Sequence, residues 1–231
     1  MQIPAHYQSL EFDRVRKLIT VLAAHAGRPL RVLDFGCGRA KYLDCLSSLG
    51  CQVTGIDANP AYVAEAEAKG YSAYPSLDLL PDESRRFDVV FLSHVIEHLP
   101  PDELVEFVPR LCRLLTEEGR MVIVTPIPGE RFYHDFSHIR PYLPQSIRHA
   151  FGQTGAPISY GETSLIELVD IYFFKDPYRT RLWRSFYVGG SLAKTLTRIV
   201  NATFDAVWRI SGGRCGVVAS WLGVYKLRRS G

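Results

Sequence analysis

The period of apolar and polar positions changes repeatedly along the chain, and each change marks an element. Between residues 8 and 24, Leu10, Val15, Leu18, Ile19 and Leu22 recur at helical spacing, which predicts a leading amphipathic helix closed by Gly27 and Pro29. The run LRVLDFG then reads as a buried strand, AKYLDCLSSLG as a helix ending at Gly50, and CQVTGID as a second strand. PAYVAEAEAKG follows as a helix opening on Pro60 and ending at Gly70. A short strand near YSAYP, a continuous apolar strand FDVVFLSH, a helix from Asp102 to Leu115 stopped by Gly119, and a strand RMVIVTP extend the alternation. Pro109 is expected to kink or break that last helix, because it lacks an N–H and its ring clashes with the preceding turn. Apolar strands alternating with helices predict a doubly wound α/β fold, a mostly parallel sheet with helices on both faces. Ligands then bind beyond the carboxyl ends of the strands, so the loops after Asp34, Asp57 and Leu92 are where a site is expected.

Beyond Pro126 the rhythm gives way to a polar, aromatic and histidine-rich segment, IPGERFYHDFSHIRPYLP, and then a short helix over 145–153. Residues 127–144 are long for a connection, and such loops are more often binding elements than spacers. SLIELVDIYFF reads as a strand from its β-branched and aromatic content, 179–210 as helical, and VVASWLGVYKL as the last strand. The whole chain, 1–231, is expected to form one domain with a helical insertion over 178–212 before the final strand.

Charge sharpens the picture of that insertion. Residues 175–231 hold eleven Lys/Arg against Asp176 and Asp205, so the C-terminal quarter carries +9 and the rest −6, within a net charge of +3. This polarity points to phosphate or an anionic membrane surface, with a merely solvated basic face as the alternative. No window approaches the roughly 18 apolar residues of a spanning helix, so a cytoplasmic location is expected, with peripheral contact at the inner membrane face through 178–212. Five cysteines without a C-x-x-C pair read as reduced, buried thiols.

The candidate chemistry starts at VLDFGCGRA. Gly36 and Gly38 permit a tight strand-to-helix turn with close approach of a ligand to the backbone, and Asp57, nineteen residues after Gly38, can accept hydrogen bonds from both hydroxyls of a ribose. A nicotinamide site shares these features, but the third glycine of G-x-G-x-x-G would fall at Lys41 and an acid, Asp34, stands two residues before the first glycine. The nucleotide-triphosphate loop G-x-x-x-x-G-K-[ST] is absent. VLDFGCGRA resembles the D-x-G-x-G motif of class I S-adenosylmethionine-dependent methyltransferases, and the resemblance extends through GIDANP, FDVVFLSHVIEHL and EEGRMVIVTP, over roughly residues 30–130, with Ala40 at the family's third small position. It implies a seven-stranded Rossmann-like sheet and S-adenosylmethionine as cofactor. By that resemblance Asp34, Gly36, Cys37 and Gly38 line the methionine moiety, Asp57 holds the ribose, Ala58 flanks adenine, Ser76 and Leu77 meet the adenine edge, and Ser93 and His94 close over the methyl group.

The segment FYHDFSHIRPY resembles the D-x-[ST]-H-x-R-P stretch of methyltransferases that accompany cell-surface glycan assembly. Asp135 is expected to orient His138, whose imidazole suits the removal of a hydroxyl proton, with His134 as a second candidate base. Arg140 and Tyr133 are the expected acceptor contacts, and the alternative is that this loop is simply locked by its own hydrogen bonds. The expected acceptor is a hydroxyl of a glycan, a lipid-linked compound or another small molecule. No resident metal is expected. A non-catalytic domain of the same fold is the competing reading, and a nicotinamide-dependent oxidoreductase a weaker one. Amino methylation of nucleic-acid bases is disfavoured because LSHV stands where N/D-P-P-Y/F would follow the fourth strand.

Overall fold

A computed structural model describes residues 5–81, 86–152 and 165–228. Helix α1 (Ala5–Ala26) leads into β1 (Arg31–Phe35), α2 (Lys41–Ser48), β2 (Gln52–Ile56), α3 (Pro60–Ala68), β3 (Ser72–Tyr74) and β4 (Phe87–Ser93). Then come α4 (Pro101–Leu114), β5 (Leu115–Pro126), α5 (Glu130–Tyr133), α6 (Pro144–Phe151), β6 (Ile166–Asp176), α7 (Arg184–Tyr187), α8 (Ser191–Ile210) and β7 (Val217–Leu227). The seven strands lie in the order β3-β2-β1-β4-β5-β7-β6. The β3-β2-β1-β4-β5 pairings are parallel, and β7 runs antiparallel to both β5 and β6. The expected mostly parallel, doubly wound sheet is what forms, with the winding reversing between β1 and β4.

Strands apolar at every position serve two layers, because successive side chains point to opposite faces. Val32, Val89, Phe91, Val122 and Val124 pack with Val15 and Ile19 of α1 and Leu46 of α2 on one side. Leu33, Val90, Leu92, Met121 and Ile123 pack with Leu104, Val108 and Leu111 of α4 and Ile147 of α6 on the other. The C-terminal strand is central to this core: Trp221 and Tyr225 are buried, and the Trp221 indole donates to the Tyr142 carbonyl at 2.9 Å.

Three local expectations are corrected. Of the kink or break expected at Pro109, the break does not occur: helix α4 continues through it, since the buried row Leu104, Val108, Leu111 and Cys112 offsets one missing backbone bond. That helix stops at Leu114, and Gly119 sits instead in an irregularity of the β4–β5 ladder, where the register jumps from Phe87↔Leu115 to Val89↔Arg120. A Cβ there would lie 2.9 Å from the Thr116 carbonyl oxygen and 3.1 Å from that of Phe87. The helical stretch 179–210 divides into α7 and α8 at Gly189 and Gly190. Four cysteines are buried and Cys215 is exposed. No helix among the described residues is long and apolar enough to cross a membrane.

Candidate active site

The carboxyl ends of β1, β2 and β4 meet at the winding reversal. Gly36 and Cys37 donate their N–H groups to the Ile56 carbonyl at 2.7 and 2.9 Å, folding the loop after β1 over the end of β2. Gly36 (φ 78°) and Gly38 (φ 49°) take left-handed conformations, as does Ala40 (φ 62°) at the N-cap of α2. A Cβ on Gly36 would lie 2.5 Å from Val95 Cγ2, whereas one on Gly38 would meet nothing within 4 Å, so the loop is tight on its inner side and open at Gly38. Asp57 accepts from the N–H of Gly38 at 2.8 Å and of Asn59 at 2.9 Å, tying the glycine loop to the start of α3. Ala58 is exposed beside it, Ser76 is half-buried, and Leu77 packs onto the core.

Asp34 is the most unusual group in this half of the site. Its carboxyl is buried and neither oxygen has a hydrogen-bond partner; burial, helped by the charge of Asp57, pushes it up to about 7. Such an orphaned acid fits a ligand that brings a positive charge and N–H donors. The Cys37 thiol is held up to about 12 by burial and by the charges of Asp34 and Asp57, so it is inert. Its backbone N–H is spent on Ile56.

A second, strongly charged half begins at His94. The residue stands at φ 57°, just past β4, with its N–H donating to the Val124 carbonyl at 2.8 Å. Its Nδ1 lies 3.1 Å from Glu97 Oε1 and its Nε2 3.2 Å from Glu11 Oε2. Burial works against the imidazolium, but the charges and hydrogen bonds of Glu11 and Glu97 outweigh it and hold His94 up to about 10. With a carboxylate on each nitrogen, the ring is satisfied only when doubly protonated, so His94 is a fixed cation and no base. Glu11 also accepts from Arg131 and from the Ser220 hydroxyl, each at 2.6 Å. Burial would raise its pKa, yet His94, Arg131 and Ser220 hold it down at about 2. Arg131 further donates to Asp176 at 2.7 Å, and fully buried Glu97 accepts from Thr125 Oγ1 at 2.9 Å.

These groups floor a cavity of about 1110 Å³, walled by Ser93 and His94, by His134 and His138 of the 127–144 segment, and by Arg179, Phe186 and Tyr187 of the insertion. His138 Nδ1 donates to the Phe132 carbonyl at 2.7 Å, which fixes the tautomer of the neutral ring and leaves Nε2 as its acceptor. That nitrogen lies 4.0 Å from both Glu97 Oε1 and Asp135 Oδ2. Asp135 accepts from the Ser137 N–H at 2.9 Å and hydroxyl at 2.6 Å, so it shapes the loop as well as facing His138. The His98 ring packs edge-on against His138, with centroids 4.7 Å apart. Glu97, His98 and His138 offer ligand atoms within 4.8 Å of one another, so this trio could hold a metal ion. His134, Asp135 and His138 line the cavity together. Tyr133 and Arg140, expected at the acceptor, are exposed and outside its walls, and Arg140 stacks 5.8 Å over Tyr142.

Sequence reasoning missed Glu11, Arg131, Asp176 and Ser220. A signal existed for Glu11: it stands four and eight residues before Val15 and Ile19, a carboxylate on the buried stripe of α1.

Comparison with known proteins accords with this geometry. The family model described as a methyltransferase domain matches residues 7–158. A ubiquinone biosynthesis O-methyltransferase of Bradyrhizobium diazoefficiens is 33% identical over 102 residues, 42% of this chain and 40% of that protein. One of the same name from Rhodopseudomonas palustris is 31% identical over 121 residues, 50% and 45% of the respective lengths. The chain thus spans less than half the length of these curated relatives. Among solved structures, a magnesium protoporphyrin IX methyltransferase from Synechocystis with bound SAH superposes with a TM-score of 0.59 at 14% identity, covering 99% of this chain and 90% of that one. A SAM-dependent methyltransferase from Archaeoglobus fulgidus gives 0.55 at 22% identity, with 91% and 94% covered. The motifs at the ends of β1, β2 and β4, the sheet order and the match over most of the chain agree: the chain belongs to the methyltransferase domain family.

Proposed function

We propose that the protein transfers a methyl group from S-adenosylmethionine to a hydroxyl of a small or lipid-linked acceptor. The observation that carries this reading is the pairing of two half-sites: an orphaned buried carboxyl on an open glycine turn, and a cavity of about 1110 Å³ that Lys41 and Tyr42, just after that turn, line together with a histidine whose Nε2 is left as an acceptor. Asp34 would take the α-ammonium of the cofactor's methionine part, the Gly38 edge would allow close backbone approach, and Asp57 would hold the ribose. The bound cofactor supplies a methyl group already electrophilic on sulfonium sulfur. The protein's part is then placement, which lowers the barrier by removing the entropy of encounter, plus removal of the acceptor's proton. His138 Nε2 takes that proton, with the Glu97 and Asp135 carboxylates each 4.0 Å from it. Relatives named O-methyltransferases support oxygen as the accepting atom. The short resemblance of the 135–141 segment favours a glycan or lipid-linked acceptor among hydroxyl compounds.

Titration calorimetry with S-adenosylhomocysteine, with NAD as control, tests the cofactor; heat with NAD alone would overturn the reading. Asp57→Ala should weaken S-adenosylhomocysteine by roughly 1–3 kcal/mol. With methyl-labelled cofactor and extract fractions as acceptor source, His138→Ala should bind S-adenosylhomocysteine normally and transfer at least about 100-fold more slowly. Unchanged transfer would leave His138 as a loop-locking residue.

A further inference from the structure

Helix α8 is built inside out. Leu192, Leu196, Ile199, Val207 and Ile210 recur at i, i+4, i+7, i+15 and i+18, a single stripe, and that stripe faces away from the protein. Leu192 is 81% exposed, Leu196 62%, Ile199 56% and Ile210 88%. The face turned inward is largely polar. Thr197 Oγ1 bonds Ser185 Oγ at 2.7 Å, the Asn201 side-chain oxygen accepts from the Thr180 N–H and hydroxyl at 3.0 Å, and Asp205 pairs with Arg179 at 2.7 Å. Only Trp208 adds a deeply buried apolar body, its indole donating to the Lys175 carbonyl at 2.7 Å. The helix is therefore held by hydrogen bonds, and its apolar face has no partner within the described residues.

We propose that α7–α8 docks on an anionic phospholipid bilayer, with the stripe entering the interface and the flanking cations meeting the headgroups. Residues 178–212 contain six Arg/Lys and one acid, Asp205, which Arg179 already engages. Arg184, Lys194, Arg198 and Arg209 are exposed and make no ion pair among the described residues. Cations beside an apolar stripe on one helix are the signature of an element lying in the membrane plane. A second copy is a poorer occupant, because a twofold interface would set these cations against their own copies. Leu182 (94% exposed) and Trp183 (54%) extend the apolar surface toward α7, whose Phe186 and Tyr187 wall the cavity. Docking thereby sets the cavity beside the bilayer, where an acceptor with a membrane-embedded tail resides. The docking itself does not rest on the proposed reaction and is tested without cofactor or acceptor.

The test is co-sedimentation of the full chain with sucrose-loaded vesicles, either phosphatidylcholine alone or phosphatidylcholine with 30% phosphatidylglycerol, at low and high salt. Binding should be at least tenfold stronger to the anionic vesicles and should weaken with salt. Leu196→Glu/Ile199→Glu, both at exposed positions, should lose binding at least tenfold with an unchanged melting temperature, and Leu192→Glu alone should lose part of it. Of the three tryptophans, Trp208 and Trp221 are buried, so quenching by brominated lipid should come from Trp183 and vanish in Trp183→Phe. Equal binding to both vesicle types, or an unaffected double variant, would overturn the proposal. So would failure to bind vesicles by a chain that sediments as a dimer and becomes monomeric in the double variant.

Discussion

At the scale of single residues, the site is governed by where charge is left unpaired. Asp34 keeps its proton to about pH 7 in the folded chain, because burial and then Asp57 disfavour the anion, while the unfolded chain releases it near the ordinary carboxyl value of 3.8. The folded state therefore binds the proton more tightly, so this group's contribution to stability declines as pH rises from about 4 to 7 and is level above that. Thermal unfolding of the cofactor-free protein should show that decline, and Asp34→Asn should flatten it; an unchanged slope would mean that Asp34 is not the group responsible. A cationic ligand at this carboxyl also forces ionisation, so S-adenosylhomocysteine binding at pH 6 should release a proton. Calorimetry in two buffers of different ionisation enthalpy reads that release directly. His94 and Glu11 act with the opposite economy, each supporting the other's charge. His94, at about 10, contributes stability that is complete below its ordinary value of 6.5 and is lost as pH rises through 10. Glu11, at about 2, contributes stability present above 4.5 and lost as pH falls toward 2. Glu11→Ala leaves Arg131 and His94 short of a carboxylate and should cost on the order of 3 kcal/mol in denaturant unfolding near neutral pH.

At the scale of elements, the strand–helix rhythm was readable because a parallel sheet leaves its imprint as short apolar runs punctuated by Gly, Pro and Asn. Gly36, Gly38 and Asp57 were singled out by the same reading, since a turn that admits a ligand needs those residue types at the ends of β1 and β2, whereas the role expected of Asp34 came from the family resemblance. What could not be read was set by distant contacts. Nothing local marks Arg131 as the partner of Glu11 and Asp176, 120 and 45 residues away. The outward stripe of α8 has the same period as a core stripe, and only the fold shows which way it faces. Pro109 did not break α4, whose buried face is held by tertiary packing, and Gly119 serves the irregularity of the β4–β5 ladder, which only the strand pairing shows. The glycine turn itself can be tested as an element. Gly36→Ala adds a methyl 2.5 Å from Val95 Cγ2 at φ 78°, and should lower stability by about 1–3 kcal/mol. Adding Val95→Ala relieves the contact but leaves the backbone strain, so the double variant should recover only part of the loss in melting temperature.

At the scale of the whole molecule, the insertion and the sheet are separable in a way that the order of the chain conceals. β6 ends at Asp176 and β7 begins at Val217, and these two residues pair across the antiparallel ladder, so the entire α7–α8 excursion leaves and rejoins the sheet at one point. Its ends are close enough to be joined by a two-residue Asn-Gly turn, which matches the twist of an antiparallel hairpin. Apart from Trp208, the buried apolar core, Trp221, Leu222, Val224 and Tyr225 of β7 included, lies on the sheet side of that junction, and so do Asp34, Asp57, His94 and His138. Replacing residues 177–216 by Asn-Gly should therefore give a chain that unfolds cooperatively and binds S-adenosylhomocysteine within about threefold of the intact protein, since the hydrogen bonds that shape the glycine turn, from Gly36 and Cys37 to Ile56 and from Gly38 to Asp57, all lie outside the removed segment. It should also lose methyl transfer, because Arg179, Phe186 and Tyr187 form one wall of the acceptor cavity. A variant that retained full transfer would show that the insertion serves only to place the enzyme, whereas one that bound cofactor and failed in transfer would assign it a share in holding the acceptor.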